Sequence, residues 1–175
     1  MGYYITLAYA NDYINPNPKV GTLWAGYTDA QKNYWIDYVE RKIDTMDWLG
    51  KPQEIGQDNA FPRKEMVAEI NSTFDPLGQV YEDVKTKLAH DEGKIPDRIR
   101  IAIVESIIGW ISTGTFQSLL DMQDVNVSAF SAGSASFTFE GKGGNTPLPK
   151  DAWYQASIYN RDWWKKKMYP MITRM

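Results

Sequence analysis

Apolar residues recur at intervals of three and four after Thr28, and this spacing predicts a long amphipathic helix. Thr28 is a favourable N-cap residue, and Asp29 puts a negative charge into the first turn. Gly50 and Pro52 end the helix. Such a helix must bury its apolar stripe against other elements, so the pattern favours a mainly helical domain. The stripe consists of Tyr34, Trp35, Tyr38, Val39, Ile43 and Met46.

The N-terminal segment carries the signals of a shorter helix. Thr6 is the expected N-cap, the helix runs from Leu7 to Ile14, and the two prolines in residues 15–18 end it. A glycine-rich loop, Gly21 to Gly26, is expected to lead into the long helix.

Two more helices are predicted in the middle of the chain. Asp75 and Pro76 are an N-cap and a first helical residue, and Gly93 closes that helix. Pro96 and Asp97 start the next one, whose apolar residues cover most of its circumference, so it is expected to be the buried central helix. The first helix has its stripe at Leu77, Val80, Tyr81, Val84 and Leu88. The second has its apolar positions at Ile99, Ala102, Ile103, Ile107, Trp110 and Ile111.

Alternating apolar residues after position 124 predict a β-hairpin over about residues 124–140, with residues 131–134 as its turn. One isolated pair of strands is marginal in water, so the hairpin is expected to lean on this chain's helices or on a neighbour's sheet. The hairpin residues that are candidates for contact with another subunit or protein are Val125, Val127, Phe130, Phe137 and Phe139.

The predicted organisation is a helical domain with the hairpin over residues 1–140, a flexible linker over 141–149 and a C-terminal helix with a basic, aromatic tail over 150–175. The last helix is expected from about Lys150 to Met168. The fold class is therefore mainly α: a small helical bundle with one β-hairpin and an extended C-terminal helix.

The composition excludes several classes of site. The 175 residues suit one domain, and the absence of cysteine excludes disulfides, thiolate zinc sites and cysteine nucleophiles. The single histidine, His90, stands at a predicted helix end without a recognisable nucleophile, so it is interpreted as a surface residue. We expect no catalytic site, metal or cofactor, and no membrane segment, because no apolar run reaches 18 residues.

The C-terminal tail combines paired tryptophans with a lysine run. Residues 161–175 contain five basic residues and one acidic residue, a charge of +4, whereas the net charge of −3 leaves −7 for the rest. Three interpretations stay open: docking on a protein partner, stacking of single-stranded nucleic acid, and tryptophans folded back on the core. Docking is preferred, and its candidate residues are Trp163, Trp164, Lys165, Lys166, Lys167, Met168 and Tyr169.

The segment QDNAFPRKE, residues 57–65, is irregular and is interpreted as a loop locked onto the core, with a binding site as the alternative. We expect Phe61 to pack near Trp48, Pro62 to fix the backbone and Arg63 to pair with carboxylates of the adjacent helix. Those carboxylates, Asp37, Glu40 and Asp44, have helical spacing and are interpreted as a solvated, salt-bridged face.

The order of these features resembles the head–tail connector (adaptor, or head-completion) proteins of tailed bacteriophages, a group that overlaps with a DnaT-like family of single-stranded-DNA-binding proteins. The resemblance rests on YYITLAYANDYI near the start, DAQKNYWIDYVERKIDTMDWLG on the long helix, QDNAFPR, and the IP-x-x-I-x-x-A start of the central helix at Ile95 to Ala102. The small-residue hairpin and the proline-led C-terminal helix complete the order.

The resemblance implies a structural virion protein rather than an enzyme. Such adaptors form a ring, commonly of twelve copies, beneath the portal, and the ring encloses the channel through which DNA passes. Their C-terminal helix and tail contact the portal, and loops or a hairpin meet the next neck component. The implied location is the virion neck, with the host cytoplasm during assembly. The alternative function implied by the overlap is single-stranded-DNA binding.

Overall fold

The computed structural model describes residues 3–76, 81–114, 129–132, 135–138 and 148–172, with the backbone alone at 129–138 and 167–172. Its α-helices are α1 (Leu7–Ile14), α2 (Gly21–Gly26), α3 (Asp29–Asp44), α4 (Met66–Glu69), α5 (Glu82–Asp91), α6 (Asp97–Ser112), α7 (Lys150–Ala156) and α8 (Arg161–Ile172). A π-helical turn, Ile70–Phe74, continues α4, and a 3₁₀ turn, Ser157–Tyr159, follows α7. The predicted mainly helical class is confirmed.

The first and third helices begin where their caps predict. The Thr6 hydroxyl accepts a hydrogen bond from the Tyr9 backbone N–H at 3.1 Å. Thr28 and Gln31 form a reciprocal capping box at the start of α3. The end of α3 was predicted less well, because the helix stops at Asp44, six residues before Gly50.

The prediction of a glycine-rich loop over Gly21–Gly26 is wrong, since these residues form α2. The fully buried Trp24 fixes this helix, and its indole N–H donates to Asn11 Oδ1 at 2.9 Å. Gly21 is needed for close packing rather than for a loop, because a Cβ there would lie 2.2 Å from the Asn15 carbonyl oxygen. Burial of the indole therefore outweighs the poor helix propensity of glycine.

Helix α5 begins at Glu82, not at Pro76 as predicted. The residue before it, Tyr81, has a left-handed backbone with φ 60°. Asp75 does not cap α5; its carboxylate instead accepts a hydrogen bond from the buried Lys85 ammonium at 2.5 Å. Asp75 thus forms an ion pair with Lys85 instead of capping α5.

Helix α6 is the central helix that the sequence predicted, and it begins directly after Pro96. Its buried residues include Ile99, Ile103 and Ile107, and α7 packs along it. The two helices approach so closely that a Cβ on Gly109 would lie 2.7 Å from the Pro149 Cβ.

The prediction of one continuous C-terminal helix from Lys150 to Met168 is wrong. The chain extends at Asn160, which forms an antiparallel bridge with Trp48, and the Tyr159 carbonyl accepts the Leu49 N–H at 2.8 Å. The Asn160 side chain then accepts the backbone N–H of Asp162 at 3.0 Å, so it starts α8 as a cap. Backbone pairing with residues 47–49 is what interrupts the helix.

Two small antiparallel ladders complete the described fold. Strand β1 (Lys51–Pro52) pairs with β2 (Arg63–Lys64), and β3 (Ala129–Ala132) pairs with β4 (Ala135–Thr138). The second ladder confirms the predicted hairpin, although Ser131 and Ala132 belong to a strand and not to the turn. Val125, Val127, Phe139 and residues 141–147 of the predicted linker lie outside the described residues.

One hydrophobic core joins the helices from α1 to α8. Its largest fully buried side chains are Trp24, Trp35, Trp48, Trp164, Tyr159 and Phe61. Across the described ranges, none of the helices has the length and apolar character needed to cross a membrane.

Candidate protein-interaction site

The Arg63 guanidinium lies inside the protein and is held by backbone carbonyls. Its Nε donates to the Leu49 carbonyl at 2.5 Å, Nη1 donates to Ala60 at 3.0 Å and Nη2 donates to Gly50 at 2.7 Å. Burial lowers the pKa of Arg63. The expectation that it pairs with carboxylates of the adjacent helix is therefore wrong: it binds the chain around residues 48–50 to the QDNAFPR segment. Its donors are used within the fold.

Phe61 and Pro62 have the packing expected of a loop locked onto the core. The peptide bond between them is cis. The Phe61 ring lies 5.2 Å from Trp48 and 6.1 Å from Tyr159, measured between ring centroids, so the predicted contact with Trp48 is confirmed. These contacts favour the interpretation of residues 57–65 as a structural loop packed on the core over their interpretation as a binding site.

The N-terminal segment is anchored by Glu40, a role that sequence reasoning missed. The Glu40 carboxylate accepts the backbone N–H groups of Tyr3, Tyr4 and Ile5 at 2.7, 2.8 and 3.0 Å. Burial raises the pKa of Glu40, and the three amides oppose that rise. The interpretation of Glu40 as part of a solvated face is wrong, because it is buried against this segment.

Asp44 joins the same segment to the QDNAFPR loop. It accepts a hydrogen bond from the Tyr4 hydroxyl and another from the Ala60 N–H at 2.7 Å. The Tyr4 hydroxyl in turn accepts the Phe61 N–H at 3.1 Å. Asp44 is thus not a solvated salt-bridge residue either. A carboxylate row with helical spacing cannot by itself distinguish a solvated face from an anchor for a distant segment.

Arg161 connects the start of α8 to two other parts of the body. Its guanidinium pairs with Glu69, donates to Asp47 Oδ1 at 2.5 Å and donates to the Gly50 carbonyl at 3.1 Å. These carboxylates raise the pKa of Arg161. The first basic residue of the tail is therefore already neutralised within the protein.

The two tryptophans of the tail have different surroundings. Trp164 is fully buried, its indole N–H donates to the Ile158 carbonyl at 2.9 Å, and its ring contacts Phe74 and Tyr81. It exposes no surface for docking, so the folded-back interpretation describes Trp164. Trp163 is half-buried, with its ring 5.2 Å from Trp164 and nearly perpendicular to it.

The first two lysines of the run are exposed on α8. Lys165 is half-exposed and pairs with Asp162 at 3.2 Å and with Asp47 at 3.5 Å. Lys166 is exposed. For Lys167, Met168 and Tyr169, the structure gives the helical backbone only. Within the described side chains of the run, the basic surface of α8 is thus carried chiefly by Lys166.

Large apolar side chains are exposed at several separate places on the body. Tyr154 on α7 is 69% exposed, and Ile55, at the loop between β1 and β2, is fully exposed. Tyr3, Tyr13 and Leu23 are exposed on the N-terminal side. Aromatic and aliphatic groups on more than one side of a domain suit contacts with more than one neighbour.

The hairpin belongs to an excursion that starts and ends at one place on the body. The chain leaves the C-terminal end of α6 at Gly114 and returns at the buried Leu148, and Pro149 packs on Gly109. The hairpin therefore lies in the part of the chain between the end of α6 and the start of α7.

The described residues contain no cluster of three or more histidine, aspartate or glutamate side chains that could hold a metal ion. His90 is exposed in the last turn of α5, as interpreted from the sequence. A cavity of about 460 Å³ is open and is lined by Val67, Asn71 and Lys85 among others. The Lys85 ammonium group is paired with Asp75 and Glu82.

Comparisons with protein-family models, curated proteins and solved structures give no match for this chain. The candidate site is therefore defined by its own geometry: a basic surface on α8, exposed apolar groups around the body and the hairpin.

Proposed function

We propose that the protein is a head–tail adaptor of a tailed bacteriophage, one copy of a ring beneath the portal that encloses the DNA channel. Its proposed partners are the portal protein, neighbouring copies of itself, twelve by the resemblance, and the next neck component. Its proposed location is the virion neck. It performs no chemistry, and DNA meets it only while passing through the channel.

The observation that carries the proposal is the place of the hairpin in the chain. This pair of strands lies between the C-terminal end of the central helix and Pro149, which packs on Gly109, and an isolated pair of strands suits contact with another subunit. The proposed ring supplies that contact, because each copy in a cyclic assembly has a neighbour on both sides.

The interior supports the resemblance in a second way. The segments that carry it are tied to one another: residues 3–5 bind Glu40, Asp44 holds Ala60, and Arg63 holds Leu49. The fold constrains residues that make such mutual contacts. The order of motifs that this chain shares with the connector family therefore supports a shared architecture.

The proposed portal-docking surface is the outer side of α8. Its described part comprises Lys166 and the exposed part of Trp163, with Lys165 at its edge; Lys167, Met168 and Tyr169 stay in the docking set as predicted from the sequence. Trp164 is withdrawn from the docking set because it belongs to the core. The basic end is proposed to meet an acidic patch on the portal, while the remainder of the chain, with its charge of −7, does not bind the DNA that passes.

No observation on the described residues of α8 supports single-stranded-DNA binding. Stacking requires exposed aromatic faces beside basic groups. Trp164 is buried, Trp163 is half-buried against it, and Arg161 is paired with carboxylates. We therefore do not propose this second function.

The test is binding to purified portal rings from the phage that encodes the chain, measured by co-sedimentation. The double variant Lys166→Glu/Lys167→Glu is expected to lose at least tenfold in affinity. The matched control, Lys19→Glu/Lys94→Glu, changes the net charge equally, from −3 to −7, at two exposed positions away from α8. It is expected to bind like the wild type. Wild-type protein that does not bind portal rings would refute the proposed function, and equal loss in both double variants would refute the docking surface.

A further inference from the structure

The backbone edges of the hairpin suggest how neighbouring copies contact each other. We infer that β3 of one copy pairs with β4 of the next copy, so that neighbouring hairpins form one continuous antiparallel sheet. This inference rests on the proposed ring and names the contact that would hold its subunits together.

The register of the hairpin identifies the backbone groups available for this pairing. Ala132 lies opposite Ala135, Ser131 opposite Ser136, Phe130 opposite Phe137 and Ala129 opposite Thr138. A two-residue connection closes on a hydrogen-bonded pair, and pairs alternate along an antiparallel ladder. The N–H and C=O groups of Ser131 and Ser136 therefore point away from the partner strand. They form the two outer edges of the sheet.

These edges lack the features with which proteins block strand addition. Sheet edges are commonly protected by charged residues, prolines, bulges or a covering element. Residues 125–139 contain no charged residue and no proline. Within the described residues, no third strand pairs with β3 or β4. Within the part of the chain that the structure describes, nothing pairs with either edge, and the hairpin sequence does not block the addition of another uncharged strand.

The position of the hairpin allows it to reach a neighbour. Fifteen residue steps separate Gly114 from Ala129, and ten separate Thr138 from Leu148. Fully extended, these connections span at most roughly 50 Å and 35 Å. A domain of this length has a radius of gyration of about 16 Å. The chain lengths on either side of the hairpin therefore permit contact with the hairpin of an adjacent copy.

A second copy is the occupant that these edges favour. Each hairpin offers one β3 edge and one β4 edge, and hairpins that point the same way place β3 antiparallel to the neighbouring β4. Both edges are uncharged, so a basic or acidic partner strand has no complementary group to pair with. Repetition of this head-to-tail contact uses every edge once, and a closed ring leaves none unpaired.

Two proline variants test the inference. Ser131→Pro removes the outward N–H of β3, and Ser136→Pro removes that of β4, while the N–H groups used within the hairpin remain. Each variant retains one intact edge. We expect neither to assemble alone, whereas their equimolar mixture forms pairs of twice 20.1 kDa and stops there. The matched controls Ser131→Ala and Ser136→Ala keep the N–H and are expected to assemble like the wild type.

Assembly is measured by sedimentation velocity over a concentration series, with and without portal rings. Wild-type assembly by a variant alone overturns the inference, as does a mixture that stays monomeric while the alanine controls assemble. Pairing of Ser136→Pro with itself indicates a two-fold β3–β3 contact and also overturns it. If the variants complement as expected but portal rings capture no protein, the proposed function fails and the inference stands. If portal rings capture both proline variants in wild-type copy number, the inference fails and the proposed function stands.

Discussion

Individual side chains in this protein have roles that depend on partners far away in the sequence. Glu40 binds residues 3–5, and Arg63 binds carbonyls of Leu49 and Gly50. Arg161 binds Glu69, 92 residues away. Each is a charged group satisfied by hydrogen bonds inside the fold, so each restrains the segments that it joins.

The two adjacent tryptophans of α8 provide a prediction at this scale. Trp164→Ala is expected to lower the free energy of unfolding by about 3–5 kcal/mol, because it removes a fully buried ring. Trp163→Ala is the matched control and is expected to cost less than half as much, since its ring is half-buried. Urea denaturation measures both values. Equal losses, or a larger loss for Trp163, would contradict the assignment of Trp164 to the core.

Local signals predicted residues whose partners are close in sequence and failed for residues whose partners are distant. The Thr6 and Thr28 caps need only a backbone N–H three residues on, and both were predicted. The anchors Glu40 and Arg63 need segments 13 to 37 residues away, and their sequence context resembles that of any solvated charge. Among the predicted docking residues, the lysines could be assigned to the surface from their residue type. Residue type could not tell whether Trp163 or Trp164 belongs to the core.

Where tertiary packing and local sequence propensity disagree, packing determines the secondary structure. Gly21–Gly26 is helical because Trp24 is buried, and the C-terminal helix breaks at Asn160 because that residue pairs with Trp48. Neither contact has a periodic signature. By contrast, α3 and α6 have long apolar stripes and strong starts, so both were predicted close to their observed positions.

The close crossing of α6 and α7 gives a prediction at the element scale. Gly109→Ala places a Cβ 2.7 Å from the Pro149 Cβ, so it is expected to cost about 1–3 kcal/mol of stability through overpacking. The control Gly26→Ala adds the same methyl group at a helical position with no atom within 4 Å. It is expected to stabilise by about 0.5–1 kcal/mol. Thermal unfolding of the two variants measures the difference, and a Gly109→Ala protein as stable as Gly26→Ala would contradict the observed packing.

The described residues form a helical body with one hydrophobic core, a hairpin between α6 and α7, and an exposed lysine, Lys166, on α8. The cavity of about 460 Å³ is open, and buried ionisable groups such as Lys85 and Arg63 hold segments together. The proposed adaptor function uses the surface instead: the hairpin for neighbouring copies and α8 for the portal. Stability of the body and assembly of the ring are therefore separable properties.

The buried tyrosines make the stability of the body sensitive to alkali. Burial and a hydrogen bond to a carboxylate raise the pKa of Tyr4 and of Tyr159 above the ordinary value of 10.0. The unfolded chain loses these protons first, so the free energy of unfolding falls as pH rises above 10 and is unaffected by these groups below it. Each tyrosine adds up to about 1.4 kcal/mol per pH unit to this fall.

Urea denaturation of Tyr4→Phe and Tyr159→Phe between pH 8 and the alkaline limit of folding measures the effect. Each variant is expected to have a shallower fall above pH 10 than the wild type, although it is less stable at neutral pH because it lacks the hydroxyl. Tyr154→Phe, whose ring is 69% exposed, is the matched control. An unchanged slope in both buried variants would contradict the raised pKa values.

Electron microscopy of portal-bearing heads tests whether this chain joins the portal as a ring. Heads that lack the protein are imaged before and after addition of the purified chain, with Lys166→Glu/Lys167→Glu as the comparison. New ring-shaped density beneath the portal is expected with the wild type, and reduced occupancy is expected with the variant. Heads that are unchanged by a folded wild-type protein would refute the proposed function.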